Sequence, residues 1–191
     1  MNITTSHTTT ITLEHEKVGK VILPYEPTDP DDVIISDDGN TITYATFDPW
    51  QFDYEFPEGV DFVQGNPGYI HYCNNVQEWI DSIHETPHMN IFPVGVYEHG
   101  NIEYSLAGES MFSSDQFDYC VGAAIAIPGG PEGFTDPEGA ARAILREYTD
   151  WCNGETYSIV TLTRNGDTWE NDTDRGVIGY RNALEEVGAG A

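Results

Sequence analysis

The residues with the most suggestive spacing are His84 and His88, which enclose Glu85 in the pattern H-E-x-x-H. On a continuous helix this spacing places two imidazoles on one face, where they bind zinc beside a glutamate base. Here Pro87 lies inside the pattern, removes a helical hydrogen bond and pushes Thr86 out of the α region. We therefore expect a helix end followed by a loop, with no resident metal and no cofactor. Any metal that did bind would take His84 and His88 as ligands.

Other chemical signatures are missing from the sequence. The three cysteines, Cys73, Cys120 and Cys152, are widely spaced and form no C-x-x-C pair, which excludes a zinc ribbon and predicts buried thiols in a reducing compartment. No phosphate-binding loop of the type G-x-x-x-x-G-K occurs. Carboxylates are so abundant that no pair of them indicates a glycosidase.

The charge of the chain is strongly one-sided. Its 191 residues include 33 acids and only 7 basic residues, for a formal net charge of −26. Lys17 and Lys20 are the last basic residues before Arg142, so the segment 21–141 holds 22 acids and no cation. Such a chain repels nucleic acid and anionic membranes, which excludes direct binding to either.

Two interpretations of this charge stay open. The acids are either an adaptation of the whole surface to high salt, or an ordered array that imitates the phosphates of DNA and occupies the basic groove of another protein. The two halves of the chain hold 16 and 17 acids, an even spread that favours salt adaptation. For the second interpretation, the candidate interaction strip consists of Glu26, Asp29, Asp31, Asp32, Asp37, Asp38, Asp53, Glu55 and Glu58.

Hydropathy indicates a globular protein that does not enter a membrane. The apolar fraction of 39% is too high for a disordered chain, and the longest apolar stretch, Val121–Pro128, is too short to cross a bilayer. The sequence opens with MNITT and shows no basic segment followed by an apolar one, so we expect no signal peptide and a cytoplasmic location inside a host cell.

Local patterns predict an α+β fold with a mostly antiparallel sheet, hairpins and two or three helices. Hairpin turns are expected at 37–40 and 164–167, and helices over 76–83, 138–152 and 182–187. Thr135 and Glu138 form a predicted capping box, and Arg142 and Arg146 are expected on the outer face of the second helix, paired with Glu138 and Asp150. We divide the chain into a β-rich acidic segment, 1–68, and an α+β core, 69–191, within one continuous unit.

Two segments of the sequence match known patterns. Residues 91–102, IFPVGVYEHGNI, are similar to L-P-V-Y-L-Y-D-H-S-G-I, and residues 146–157, REYTDWCNGETY, to E-x-Y-x-x-Y-L-T-G-D-V-Y-G. In these patterns the chain resembles a family of small phage and plasmid proteins. The resemblance covers about residues 70–187 and implies a mobile-element setting without implying a reaction. The residues that carry it are Pro93, Tyr97, His99, Gly100, Tyr148, Gly154 and Tyr157.

Three hypotheses for function follow. The first is a non-enzymatic interaction protein of a virus or mobile element that binds a basic host protein, such as a defence or DNA-binding protein, by imitating DNA. The second is a salt-adapted domain of a halophilic virus or plasmid, with a small-molecule or protein site in the region 91–122. The third is a metal-assisted hydrolase that uses His84, Glu85, His88 and His99. We predict the first, and expect no enzymatic activity.

Overall fold

The computed structural model describes residues 2–5, 10–48, 53–64, 73–83, 86, 88–115 and 118–188. These residues form eleven strands and three α-helices, with antiparallel pairing throughout, which confirms the predicted α+β class. The strands are β1 (Asn2–Thr5), β2 (Ile11–His15), β3 (Gly19–Leu23), β4 (Ile34–Ile35), β5 (Thr41–Phe47), β6 (Asp61–Gln64), β7 (Met89–His99), β8 (Asn101–Leu106), β9 (Tyr119–Pro128), β10 (Thr156–Asn165) and β11 (Thr168–Ile178). The helices are α1 (Cys73–Ile83), α2 (Pro137–Cys152) and α3 (Tyr180–Val187).

The chain divides into two compact units. Unit 1 consists of Met1–Phe52 and Gly154–Ala191, and unit 2 is the inserted segment Asp53–Asn153. The boundary expected at residues 68 and 69 lies outside the described residues. Unit 1 therefore combines the first and the last segment of the chain, an arrangement that the order of the motifs along the sequence does not reveal.

Unit 1 contains two antiparallel sheets that share a hydrophobic core. One sheet has the order β1-β2-β3, and the other has the order β11-β10-β5-β4. Alternating side chains of the second sheet, such as Ile42 and Val160, pack against Leu13 and Val21 of the first. The opposite face of the second sheet carries α3, through a separate cluster that includes Ile159. Period-two alternation thus assigns neighbouring residues of β10 to two different cores.

Unit 2 is built on a sheet of order β6-β9-β7-β8. Helix α2 packs on the face that presents Val94 and Ile125, whereas α1 contacts β9 and β6. Ala123 to Ile127 of β9 are all almost completely buried, because this part of the strand is covered on both faces. Val121, near the start of the same strand, is 50% exposed. The aromatic residues Phe56 and Phe62 pack against this core, and Tyr54 contacts Phe56.

The predicted hairpin turns are both present. β4 and β5 pair on either side of Asp37–Asn40, and β10 and β11 pair on either side of Arg164–Asp167. In each turn a glycine, Gly39 or Gly166, takes a positive φ that other residues rarely adopt, which explains why Asp-Gly and Asn-Gly mark these positions.

The N-terminus of α2 differs in detail from the predicted capping box. The cap is Asp136, not Thr135, because the Asp136 carboxylate accepts a hydrogen bond from the Gly139 N–H at 3.0 Å. Pro137 follows at the first helical position, where a missing N–H has no cost. Two adjacent residues, Thr and Asp, are both good caps, and the sequence pattern does not choose between them.

Candidate functional site

The nine acids predicted as one interaction strip are divided between the two units. Unit 1 holds Glu26, Asp29, Asp31, Asp32, Asp37 and Asp38, and unit 2 holds Asp53, Glu55 and Glu58. All are exposed except Asp32, which is partly buried. The six acids of unit 1 lie on one stretch of chain between β3 and β5. The predicted strip is therefore split into six acids in unit 1 and three in unit 2.

The carboxylates at the first hairpin turn take part in the local structure of that turn. The Ser36 hydroxyl donates to Asp38 Oδ1 at 2.7 Å, and the Asn40 N–H donates to the same oxygen at 3.0 Å. These hydrogen bonds favour the charged form and lower the pKa of Asp38 to about 2. Asp37 pairs with Lys17 at 3.2 Å. The turn is therefore an ordered structure and not a bare run of charge.

Two further acids of the predicted strip stabilise neighbouring backbone or side chains. Asp29 caps a short 3₁₀ turn, since its Oδ1 accepts from the Asp31 N–H at 2.9 Å. The Tyr180 hydroxyl donates a hydrogen bond to Asp32. Part of the charge of the acidic run 26–38 therefore takes part in contacts within unit 1.

A second set of carboxylates, which the sequence analysis missed, forms a regular row on β11. Glu170, Asp172 and Asp174 are exposed and alternate along the strand, so they point to one side of the sheet. Successive members are separated by about 6.7 Å, twice the rise of a strand residue. In the register of the sheet, Thr163 and Thr161 of β10 lie beside Glu170 and Asp172. The alternation E-x-D-x-D in the sequence was the signal for this acidic row.

The acidic row lies at the border of its sheet. β11 is a terminal strand in the order β11-β10-β5-β4, and β10 covers only one of its two edges. On the same face Thr161 is paired in register with Thr43, whereas Ile159, the partner of Asp174, packs against α3. An extended strand keeps its carboxylates at fixed intervals, in contrast to acids on turns.

Residues that carry the phage and plasmid resemblance are also divided. Unit 2 contains Pro93, Tyr97, His99, Gly100 and Tyr148, and unit 1 contains Gly154 and Tyr157. His99 Nδ1 lies 2.8 Å from Asp118 Oδ2, and the Tyr97 ring stacks on Phe112 with centroids 4.2 Å apart. Burial, followed by nearby carboxylates including that of Asp118, raises the pKa of Tyr97. These contacts join the β7–β8 hairpin to the loop before β9.

Tyr148 lies in an aromatic cluster within the core of unit 2. Its ring stacks on Trp151 at a centroid distance of 5.8 Å and contacts Tyr104 at 4.9 Å. Burial raises the pKa of Tyr148 to about 12, so the phenol stays neutral. Burial also raises the pKa of the Cys152 thiol, whereas Cys120 is exposed, contrary to the expectation of buried thiols.

The histidine pattern is only partly visible. His84, Glu85 and Pro87 lie outside the described residues, so the spacing of the two histidines is not placed by the structure. His88 is exposed and has a φ of 68°, in the left-handed region. Within the described part of the chain, no group of three or more His, Cys, Asp or Glu side chains could hold a metal ion.

A cleft of about 380 Å³ opens between β8 and α2 in unit 2. Its lining consists of Glu103, Tyr104, Ser105, Leu106, Glu109, Arg142, Arg146 and Thr149. The volume lies near the lower end of the range of small-molecule sites, about 300 to 1,000 Å³. The buried hydroxyl of Ser105 has no hydrogen-bond partner among the described residues.

The two arginines of the cleft differ in their partners. Arg142 Nε and Nη2 both contact Glu109, at 3.0 and 2.7 Å, and Nη2 also donates to Glu138, which confirms the predicted pair at i, i+4. Arg146, one helical turn further on, is exposed and forms no ion pair with any described residue. Its predicted partner was Asp150, and that ion pair is absent from the described contacts.

The edge of β8 beside the cleft is covered by side chains of unit 2. The Tyr104 N–H donates to Thr149 Oγ1 at 2.9 Å, and the Ile102 N–H donates to Asn153 Oδ1 at 2.9 Å. Because backbone groups of an antiparallel strand alternate, the N–H of Leu106 faces the same edge. It lies at the end of the strand where the cleft opens.

Comparisons of the chain with protein-family models, with characterised proteins and with solved structures find no match. The resemblance to phage and plasmid proteins therefore stays a prediction. No helix among the described residues has both the length and the apolar character that a membrane span requires. Function has to be argued from charge and geometry.

Proposed function

We propose that this protein is a non-enzymatic interaction protein that presents carboxylates to a basic surface of a partner protein. In the predicted mobile-element setting, that partner is a host defence or DNA-binding protein, and the carboxylates imitate the phosphates that its groove normally holds. The observation that carries the proposal is the acidic row Glu170, Asp172 and Asp174 on β11. An evenly spaced row on an extended strand is what a mimic of a polyanion needs.

Charge and packing support the row as a contact surface. The residues Glu170, Asp172 and Asp174 are each paired in register with a residue of β10, so the backbone positions that carry the three carboxylates are fixed. The threonine hydroxyls beside them offer further acceptors to lysine and arginine side chains. Net repulsion from a chain of charge −26 excludes nucleic acid itself as the partner, and steers the protein toward cations.

The experiment is a displacement assay with matched charge variants. A fluorescently labelled DNA duplex is bound to a purified DNA-binding protein that has a basic groove, and the amount of this protein needed to release the duplex is measured. The test variant is Glu170→Gln, Asp172→Asn and Asp174→Asn together. The control is Glu14→Gln, Glu16→Gln and Glu186→Gln, three exposed acids of unit 1 outside the row. Both variants lose three charges.

We expect the row variant to displace DNA about tenfold less well than the native chain. This follows from about 0.5 kcal/mol for each exposed ion pair that is lost. The control variant should change by less than twofold. Equal loss in both variants would show that only net charge matters and would leave salt adaptation as the explanation of the acidic composition. No displacement by the native chain at any salt concentration would refute the proposal directly.

A further inference from the structure

We propose that the cleft between β8 and α2 binds a small organic carboxylate, with Arg146 as the residue that receives it. This site is independent of the acidic row, since it belongs to unit 2 and uses cations. Three observations carry the inference: the placement of the cations, the contact that Arg142 already makes, and the backbone edge of β8 beside them.

The first observation is where the cations of unit 2 lie. The segment 53–153 holds 17 acids and two basic residues, Arg142 and Arg146, and both line the same cleft. They are separated by four positions on α2, so they share one face of the helix. Unit 2 has only these two basic residues. A general need for solubility does not explain why both of them lie side by side at a concave surface.

The second observation is an internal example of the proposed contact. The carboxylate of Glu109 binds Arg142 through Nε and Nη2, the fork geometry that arginine offers to carboxylates. Arg146 presents the same fork one turn away, and no described residue forms an ion pair with it. One of the two arginines that line the cleft therefore already binds a carboxylate of the protein, and a second carboxylate fits the other arginine.

The third observation is the supply of hydrogen-bond donors around that position. Thr149 and Asn153 satisfy the outward backbone groups of β8 up to Tyr104, and the same alternation makes the N–H of Leu106 the next outward donor. Leu106 lines the cleft. A ligand oxygen next to Arg146 gains a neighbouring backbone donor.

Charge decides between a carboxylate and a phosphate. Both bind arginine in the same geometry, but a phosphate carries about −1.5 to −2 at neutral pH. The 17 acids of unit 2 repel such a dianion more strongly than a single negative charge. The carboxylate of Glu109 at the neighbouring arginine agrees with this preference.

The test uses the side-chain resonances of the arginines in the full chain. Benzoate, acetate and inorganic phosphate are titrated separately, and the Nε–Hε signals of Arg142 and Arg146 and the amide signal of Leu106 are followed by NMR. The test variant is Arg146→Gln. The matched control is Arg181→Gln, an exposed arginine on α3 of unit 1. Circular dichroism establishes that both variants keep their secondary structure.

We expect saturable shifts of the Arg146 and Leu106 signals with benzoate, at least tenfold weaker binding in the Arg146 variant and unchanged binding in the Arg181 variant. Shifts that never saturate, or that persist in the Arg146 variant, would refute the site. Tighter binding of phosphate than of either carboxylate would refute the assigned ligand class. None of these outcomes depends on whether the acidic row binds a partner.

Discussion

The side chain of Asn153 hydrogen-bonds both backbone groups of Ile102. Its Oδ1 accepts from the Ile102 N–H at 2.9 Å, and its Nδ2 donates to the Ile102 carbonyl at 2.8 Å. One amide thus supplies the donor and the acceptor that a neighbouring strand would supply. It closes part of the free edge of β8, where unpaired backbone groups otherwise invite association with another chain.

We therefore expect Asn153→Ala to lower the free energy of unfolding by about 2 kcal/mol, because it leaves backbone groups of a partly buried edge without partners. Urea denaturation followed by circular dichroism measures this loss. Asn101→Ala, at an exposed position of β8 in the same unit, is the control and should change the free energy by less than about 0.5 kcal/mol. An equally small change for Asn153 would mean that water replaces the amide without cost.

A close approach between Gly95 and Tyr119 makes a second prediction. A Cβ at Gly95 would lie 2.2 Å from the Tyr119 hydroxyl oxygen, which itself accepts a hydrogen bond from the Gly108 N–H at 2.9 Å. Gly95→Ala should displace the ring and destabilise unit 2 by about 1 to 3 kcal/mol, as overpacking does. Thermal unfolding measures the change.

A double-mutant cycle isolates that contact. In the background Tyr119→Ala, the ring that obstructs the new methyl group is gone, so Gly95→Ala should cost clearly less than it does alone. Additive effects of the two substitutions would contradict the steric explanation and would place the cost in the backbone of β7.

The fold was largely predictable because short-range signals determine most of it. The hairpin turn at 37–40 and the helix predicted over 138–152 follow from spacing and turn chemistry within a few residues. The role of Asn153 was not predictable, since its partner Ile102 lies 51 positions away. Insertion of unit 2 between the parts of unit 1 likewise depends on the pairing of β5 with β10, which no local pattern encodes.

The sequence indicated the chemical type of the candidate contact surface, a group of acids, but not which acids form the regular row. Charge counting indicated an acidic contact surface, but it selected the densest run, 26–38, where hydrogen bonds of turns use some of the carboxylates. The regular row on β11 is less dense and was overlooked, although its alternation is visible in the sequence. Arg146 was expected to pair on its own helix, and only the tertiary structure shows the cleft.

The lowered pKa of Asp38 gives a prediction for stability against pH. Hydrogen bonds from Ser36 and Asn40 hold its folded-state pKa at about 2, below the value of 3.8 expected for the unfolded chain. The charged form thus stabilises the fold above the unfolded pKa, and this contribution is lost as the pH falls from about 4 to about 2. The difference in urea midpoint between the native chain and Asp38→Asn should shrink over that range.

Asp53→Asn serves as the control, since Asp53 is an exposed acid of unit 2. Its difference from the native chain should show no comparable decrease between these pH values. A constant difference for Asp38→Asn would mean that the amide makes the same hydrogen bonds to the turn as the carboxylate, and that charge is not what stabilises the hairpin.

The density of acids predicts how stability responds to salt. With a net charge of −26 and no cation between residues 21 and 141, repulsion within the folded chain is strong at low ionic strength. Raising KCl from about 0.1 M to about 1 M shortens the Debye length from about 10 Å to about 3 Å and screens this repulsion. The melting temperature should rise by several degrees over this range, and sucrose of equal osmolality should raise it less.

The variant Glu170→Gln, Asp172→Asn, Asp174→Asn should show a smaller rise, because it removes three adjacent charges on one strand. A melting temperature that does not change with KCl would show that repulsion among the carboxylates does not limit stability, and it would contradict the salt-adaptation interpretation of the acidic surface.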